Sequence, residues 1–134
     1  MQVMLQHVSI PRPSGEENTQ IARRFYGEVV GLVEKPVPVT IAHLNLIWFK
    51  LGEETELHVF TEDGAFDTSS NRHFCLNVGD VEAMRNALTQ AGYKPWDPEG
   101  IQGRPRFFCR DPFNNVVEFT QIVDDYLKYQ DGTK

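Results

Sequence analysis

Phe107-Phe108-Cys109-Arg110-Asp111-Pro112-Phe113-Asn114-Asn115-Val116-Val117-Glu118-Phe119 is the stretch whose reading decides the fold. Arg106–Cys109 and Val116–Ile122 read as strands, and Asp111-Pro112-Phe113-Asn114-Asn115 joins them. Proline sets φ and asparagine tolerates left-handed backbone, so this pentapeptide is a strong turn. Upstream, His73–Val78 is strand-like. Asp80 is placed to cap a helix whose Val81, Met84, Leu88 and Ala91 share one face and which Gly92 ends. A short strand near Tyr93–Trp96 completes a strand–helix–strands order.

The first half of the chain repeats that order. Met4–Ile10 reads as a strand, ended by Pro11-Arg12-Pro13 because proline cannot donate to a ladder. Ser14 and Glu17 have the spacing of a capping box. Ile21, Phe25 and Val29 form an i, i+4 stripe on the helix that follows, and Gly31 is its stop. Strands near Leu44–Leu51 and Glu56–Phe60 flank the turn Gly52-Glu53-Glu54. The expected class is α+β, one domain over residues 1–134. Module one covers about 1–62, a polar linker about 62–71, module two about 72–124, and a polar tail follows.

Composition excludes several function classes. The chain is 40% hydrophobic and 11% aromatic, which is globular and not disordered. The net charge of −6 comes without any Lys/Arg block, so a nucleic-acid surface is not expected. No apolar run is long enough to span a bilayer, and the first residues lack the charged start and apolar stretch of a signal peptide. Cys75 and Cys109 have no metal-finger spacing, so two reduced thiols in a cytoplasmic protein are expected.

Chemistry concentrates in two similarly spaced His…Glu pairs, His7 with Glu56 and His73 with Glu118. Each pair sits in a similar local sequence, a faint internal duplication that sets two imidazoles and two carboxylates at matching points of two half-chains. Two nitrogen and two oxygen donors suit a divalent first-row metal, and His7, His73 and Glu118 alone match a non-heme iron triad. Period-two pleating puts Glu56, His58 and Phe60 on one strand face. His43 reads as a surface residue.

Leu5–Ile10, Phe25–Leu32, Glu56–Phe60, His73–Val78 and Phe107–Phe119, taken in order, make the chain resemble the vicinal-oxygen-chelate superfamily of glyoxalase I, bleomycin-resistance and extradiol dioxygenase proteins. The resemblance implies two βαβββ modules that form a curled mixed sheet around a cleft. It implies a metal held by His7, Glu56 (or His58), His73 and Glu118, with zinc, nickel, cobalt, manganese or iron(II) as the ion. It also implies a homodimer and a small-molecule substrate, and it gives three functional alternatives. The first is a lyase or isomerase that stabilises an enolate or oxyanion, with Glu118 as first choice of base and Glu56 second. The others are an iron-dependent dioxygenase and a non-catalytic ligand-binding protein.

Arg104 and Arg106, either side of Pro105, match basic residues that hold an anionic part of the substrate in related proteins. The planar guanidinium fork suits that role. Trp48, Phe60 and Phe108 are candidates for an apolar substrate lining, and Gly100-Ile101-Gln102-Gly103 for a loop that closes over it.

Overall fold

A computed structural model of the chain describes residues 1–64 and 67–129. Two compact units form: Met1–Ser69 with Pro112–Asn115, and Ser70–Asp111 with the chain from Val116 on.

In the first unit, β1 (His7–Arg12), β2 (Glu34–Lys35), β3 (Ile47–Leu51) and β4 (Thr55–Thr61) form one sheet in the order β1-β4-β3-β2. The β1–β4 pair is parallel and the other two are antiparallel. A parallel neighbour needs a crossover, which here contains helix α1 (Glu16–Ala22) and the π-helical turn Arg23–Val29. Alternation sorts the side chains as pleating requires. Ile10, Ile47, Phe49, Leu57 and Val59 are buried together with Ala22, Phe25 and Tyr26 of the crossover. Tyr26 meets Phe49 with ring centroids 6.0 Å apart, so the helical side covers this face. His7, Trp48, Glu56 and His58 stand on the opposite face.

The second unit has the same plan with one strand reduced. Strands β5 (His73–Asn77), β6 (Arg106–Arg110) and β7 (Val116–Thr120) run in the order β5-β7-β6, with β5 parallel to β7. The expected strand near Tyr93–Trp96 shrinks to a single bridge, Trp96 to Phe108, with N···O distances of 2.8 and 2.9 Å. Helix α2 (Val81–Gln90) starts where expected, because Asp80 Oδ1 accepts from the Ala83 amide at 3.0 Å. Its Arg85 guanidinium lies over the Phe107 ring, and Phe107 stacks on Phe119, so α2 covers the face opposite Phe108 and Glu118.

Several expectations are corrected. Strand β1 runs through Pro11 to Arg12 instead of ending before them. It is an edge strand, so the missing proline N–H costs no ladder bond, and the Pro11 carbonyl accepts from Asn115 Nδ2 at 2.9 Å. Ser14 and Glu17 do not form a capping box. Gly15 is the N-cap at φ 108°, and Ser14 Oγ donates to Asp63 instead, at 2.8 Å. The π-helical turn breaks the i, i+4 stripe. Its wider winding buries Phe25 and Tyr26 side by side and leaves Ile21 and Val29 only half-buried. Leu44 ends a 3₁₀ helix, Val39–Leu44, instead of starting a strand.

That 3₁₀ helix ends at Asn45, whose carbonyl accepts from the fully buried Arg12 at 2.8 Å. Among the described residues Arg12 Nε has no hydrogen-bond partner. Burial pushes the guanidinium pKa below its ordinary value. Residues 65–66 of the expected linker, and 130–134 of the expected tail, lie outside the described residues. Among those described, no helix is long and apolar enough to cross a membrane.

Candidate functional site

Glu56 is the hub of the first sheet's exposed face. It is nearly buried, and its carboxylate meets Lys35 Nζ, His58 Nε2 at 2.8 Å and Gln6 Nε2 at 3.3 Å. Lys35, then His58, hold its carboxyl down at about 2, against the opposing effect of burial. The His58 ring lies between two others. Trp48 stacks on it at 4.1 Å and 3°, and His7 at 4.1 Å and 15°. His7 Nδ1 is 2.6 Å from Gln6 Oε1. Trp48 Nε1 is buried with no hydrogen-bond partner among the described residues. Phe60 lies on the same strand face as Glu56 and His58, and His43 is exposed on the 3₁₀ helix.

Glu118 is the hub of the second unit. It is buried, with His73 Nε2 at 3.2 Å from Oε1, Arg104 at 3.2 Å from Oε2 and Arg106 at 3.6 Å from Oε1. His73 Nδ1 lies 2.7 Å from the Asn71 carbonyl. A carbonyl only accepts, so Nδ1 carries a proton. In the neutral ring Nε2 is then a bare lone pair facing a carboxylate oxygen. Two acceptors at 3.2 Å repel unless a cation or a second ring proton stands between them.

Phe108 packs against His73 and Trp96, and Arg106 lies over its ring. Arg104 is held by further contacts. It donates to Thr120 Oγ1 at 3.2 Å, and Tyr126 covers its guanidinium. The Gly103 carbonyl beside it accepts from Val123 and Asp124, so the expected loop is tied at this end to the tail segment. Cys75 is exposed as a residue, but burial of its sulfur, then Glu118, pushes the thiol up to about 11. It is no nucleophile at neutral pH.

Strand register decides which residues are true counterparts. In the first sheet His58 lies opposite Ser9 on one side and Trp48 on the other. In the second sheet Glu118 lies opposite Cys75 and Phe108. His7 faces Glu56 across the ladder, whereas His73 faces Val116. The two imidazoles therefore correspond, but the counterpart of Glu118 is His58, and that of Glu56 is Val116. The similar spacing of the two His…Glu pairs hid this offset, because loop lengths enter the spacing and register does not.

Among the described residues, no group of three or more His, Cys, Asp or Glu side chains is gathered to hold an ion. Sequence reasoning missed Lys35, Gln6, Cys75 and Tyr126 as contacts of the candidate residues. Only Lys35, a lone cation before Pro36, carried even a faint signal.

The model of the Glyoxalase/Bleomycin resistance protein/Dioxygenase superfamily matches residues 5–119. The chain belongs to this superfamily. A Bacillus anthracis protein assigned to the glyoxalase family is 30% identical, with a TM-score of 0.80 over 91% of this chain and 97% of that one. A glyoxalase/dioxygenase from Nostoc punctiforme shares 16% identity and a TM-score of 0.72, covering 90% of this chain and 92% of its own. TnmS3, an antibiotic binding protein from a Streptomyces species, shares 22% identity and a TM-score of 0.63, covering 90% and 97%. The last two likenesses show the fold alone. No curated protein matches the chain. The α+β glyoxalase-like fold expected from the sequence is thus the fold observed.

Proposed function

We propose that this superfamily member is a metal-dependent enzyme of lyase or isomerase type that acts on a small oxygenated substrate. The observation that supports it is His73. Its Nδ1–H is committed to the Asn71 carbonyl, and its Nε2 faces the Glu118 carboxylate. Ligating histidines characteristically anchor their second nitrogen this way, which fixes the ring and leaves a directed lone pair. In the second unit the candidate donors are His73 and Glu118; the first unit, taken by itself, carries the imidazoles of His7 and His58. Their nitrogen and carboxylate chemistry fits zinc, nickel, cobalt, manganese or iron(II). Such an ion supplies Lewis acidity toward substrate oxygens.

The remaining steps belong to the chain's own groups. Glu118 is the candidate base that moves a proton between neighbouring substrate carbons. Arg104 and Arg106 would exchange their contact with Glu118 for an anionic part of the substrate. The test is calorimetric titration of chelator-treated protein with each ion. Micromolar or tighter binding, lost in His73→Ala and Glu118→Gln, is expected. No binding at millimolar concentration refutes the metal reading.

A second reading has its own support. Both carboxylates already have basic partners, Glu56 in Lys35 and Glu118 in Arg104 and Arg106. That charge balance suits a binder of an organic ligand that needs no metal; TnmS3 is named an antibiotic binding protein. Ligand binding that persists in excess chelator would favour it. Oxygen uptake with iron(II) and catechols would favour the dioxygenase alternative.

A further inference from the structure

Hydrogen-bond polarity runs in one direction through the Glu56 cluster. A carboxylate only accepts, so both nitrogens near Glu56 Oε1 must donate: Gln6 Nε2 at 3.3 Å and His58 Nε2 at 2.8 Å. The Gln6 amide is therefore oriented with its NH₂ toward Glu56 and its oxygen away. That oxygen lies 2.6 Å from His7 Nδ1. An amide oxygen also only accepts, so His7 Nδ1 carries a proton, and in the neutral ring its Nε2 is bare. His58 has the reverse arrangement, with the proton on Nε2 and Nδ1 bare. Two rings stacked 4.1 Å apart thus carry opposite tautomers.

We infer that Glu56 is a positioning residue, neither ligand nor base, which sets the tautomers of both His7 and His58. It acts on His58 directly and on His7 through Gln6, with Lys35 as its fixed counter-ion. The register agrees, since Glu56 has no carboxylate counterpart in the second unit. The Trp48 and His7 stacks hold the His58 ring in plane, so one hydrogen bond suffices to fix which nitrogen is bare. The consequence, a His7 Nε2 lone pair open to a Lewis acid, rests on the proposed metal function. The tautomers themselves do not.

The test uses the full chain, labelled with ¹⁵N-histidine, stripped with chelator and held near pH 8, where a free imidazole is neutral. Long-range ¹H–¹⁵N correlation spectra report which ring nitrogen is protonated. His7 is expected as the Nδ1–H form and His58 as the Nε2–H form. Gln6→Leu should shift the His7 tautomer ratio about fivefold toward Nε2–H, the worth of one ordinary hydrogen bond, and leave His58 unmoved. Glu56→Leu should shift both. If Glu56→Leu fails to fold, the unmodified protein and Gln6→Leu still decide the matter. An Nε2–H His7 in the unmodified protein, or a His7 ratio unchanged by Gln6→Leu, overturns the inference. A metal titration that fails while these spectra hold would sink the proposed function and leave Glu56's role standing.

Discussion

Replacing Lys35 by Met removes the chief partner of Glu56 and keeps the aliphatic stem. Glu56 is 11% exposed in its side chain and Lys35 33%. The carboxyl is held at about 2 against an ordinary 4.5. At about 1.4 kcal/mol per unit, the whole depression is worth at most about 3.5 kcal/mol. His58 and Gln6 share it, and the ammonium is a third exposed and screened by solvent. Lys35's part is therefore about 1–2 kcal/mol. The sign follows from the depressed pKa. The contribution is fully present above 4.5, where the unfolded carboxyl is ionised, and is lost as pH falls toward 2. Urea denaturation of both proteins between neutral pH and the acid limit of folding measures the difference. Lys35→Met should be less stable at pH 7 by about that amount, with the gap narrowing below pH 4.5. Equal stability at neutral pH, or a gap that does not change in acid, would refute the assignment of Lys35 as counter-ion.

Other expectations are more local. Ser14→Ala should cost about 1 kcal/mol through the lost Asp63 bonds, while Glu17→Gln should change stability by less than about 0.5, by urea midpoint. The reverse ranking would restore the capping box. Asp80→Ala should destabilise by about 1 kcal/mol, because the Ala83 amide loses its cap, and should weaken protection of α2 in hydrogen exchange. Gly103→Ala should lower the melting temperature by several degrees, since φ is +81° and a Cβ would sit 3.1 Å from Asp124 Cβ. On the proposed function, an ion at about a hundredfold its Kd should stabilise the chain by roughly 2.7 kcal/mol, and chelator should reverse it.

Much of the local structure was readable from residues alone. The turn at Asp111–Asn115 holds Asn114 at φ 69°, which asparagine tolerates. Asp80 caps α2, and the alternation in Leu57–Phe60 sorts buried from half-buried side chains. Strand β2 was not readable, because two residues carry no periodicity. Yet β2 delivers Lys35 to Glu56. The π-helical turn was hidden too, since its sequence fits an ordinary helical stripe; in the fold its Tyr26 packs against Phe49.

Within the site, the sequence placed Glu56 and His58 on one face and could not choose between them. A strand that slips by two residues keeps every side chain on its own face while changing every cross-strand partner. Strand faces, the Asp111–Asn115 turn and the Asp80 cap follow from backbone dihedrals a few residues long, so the sequence by itself determined them. The partners of Glu56 and Glu118 and the counterpart relation of His58 to Glu118 were decided only by tertiary structure. They depend on pairing between strands remote in the chain, whose register no local preference encodes.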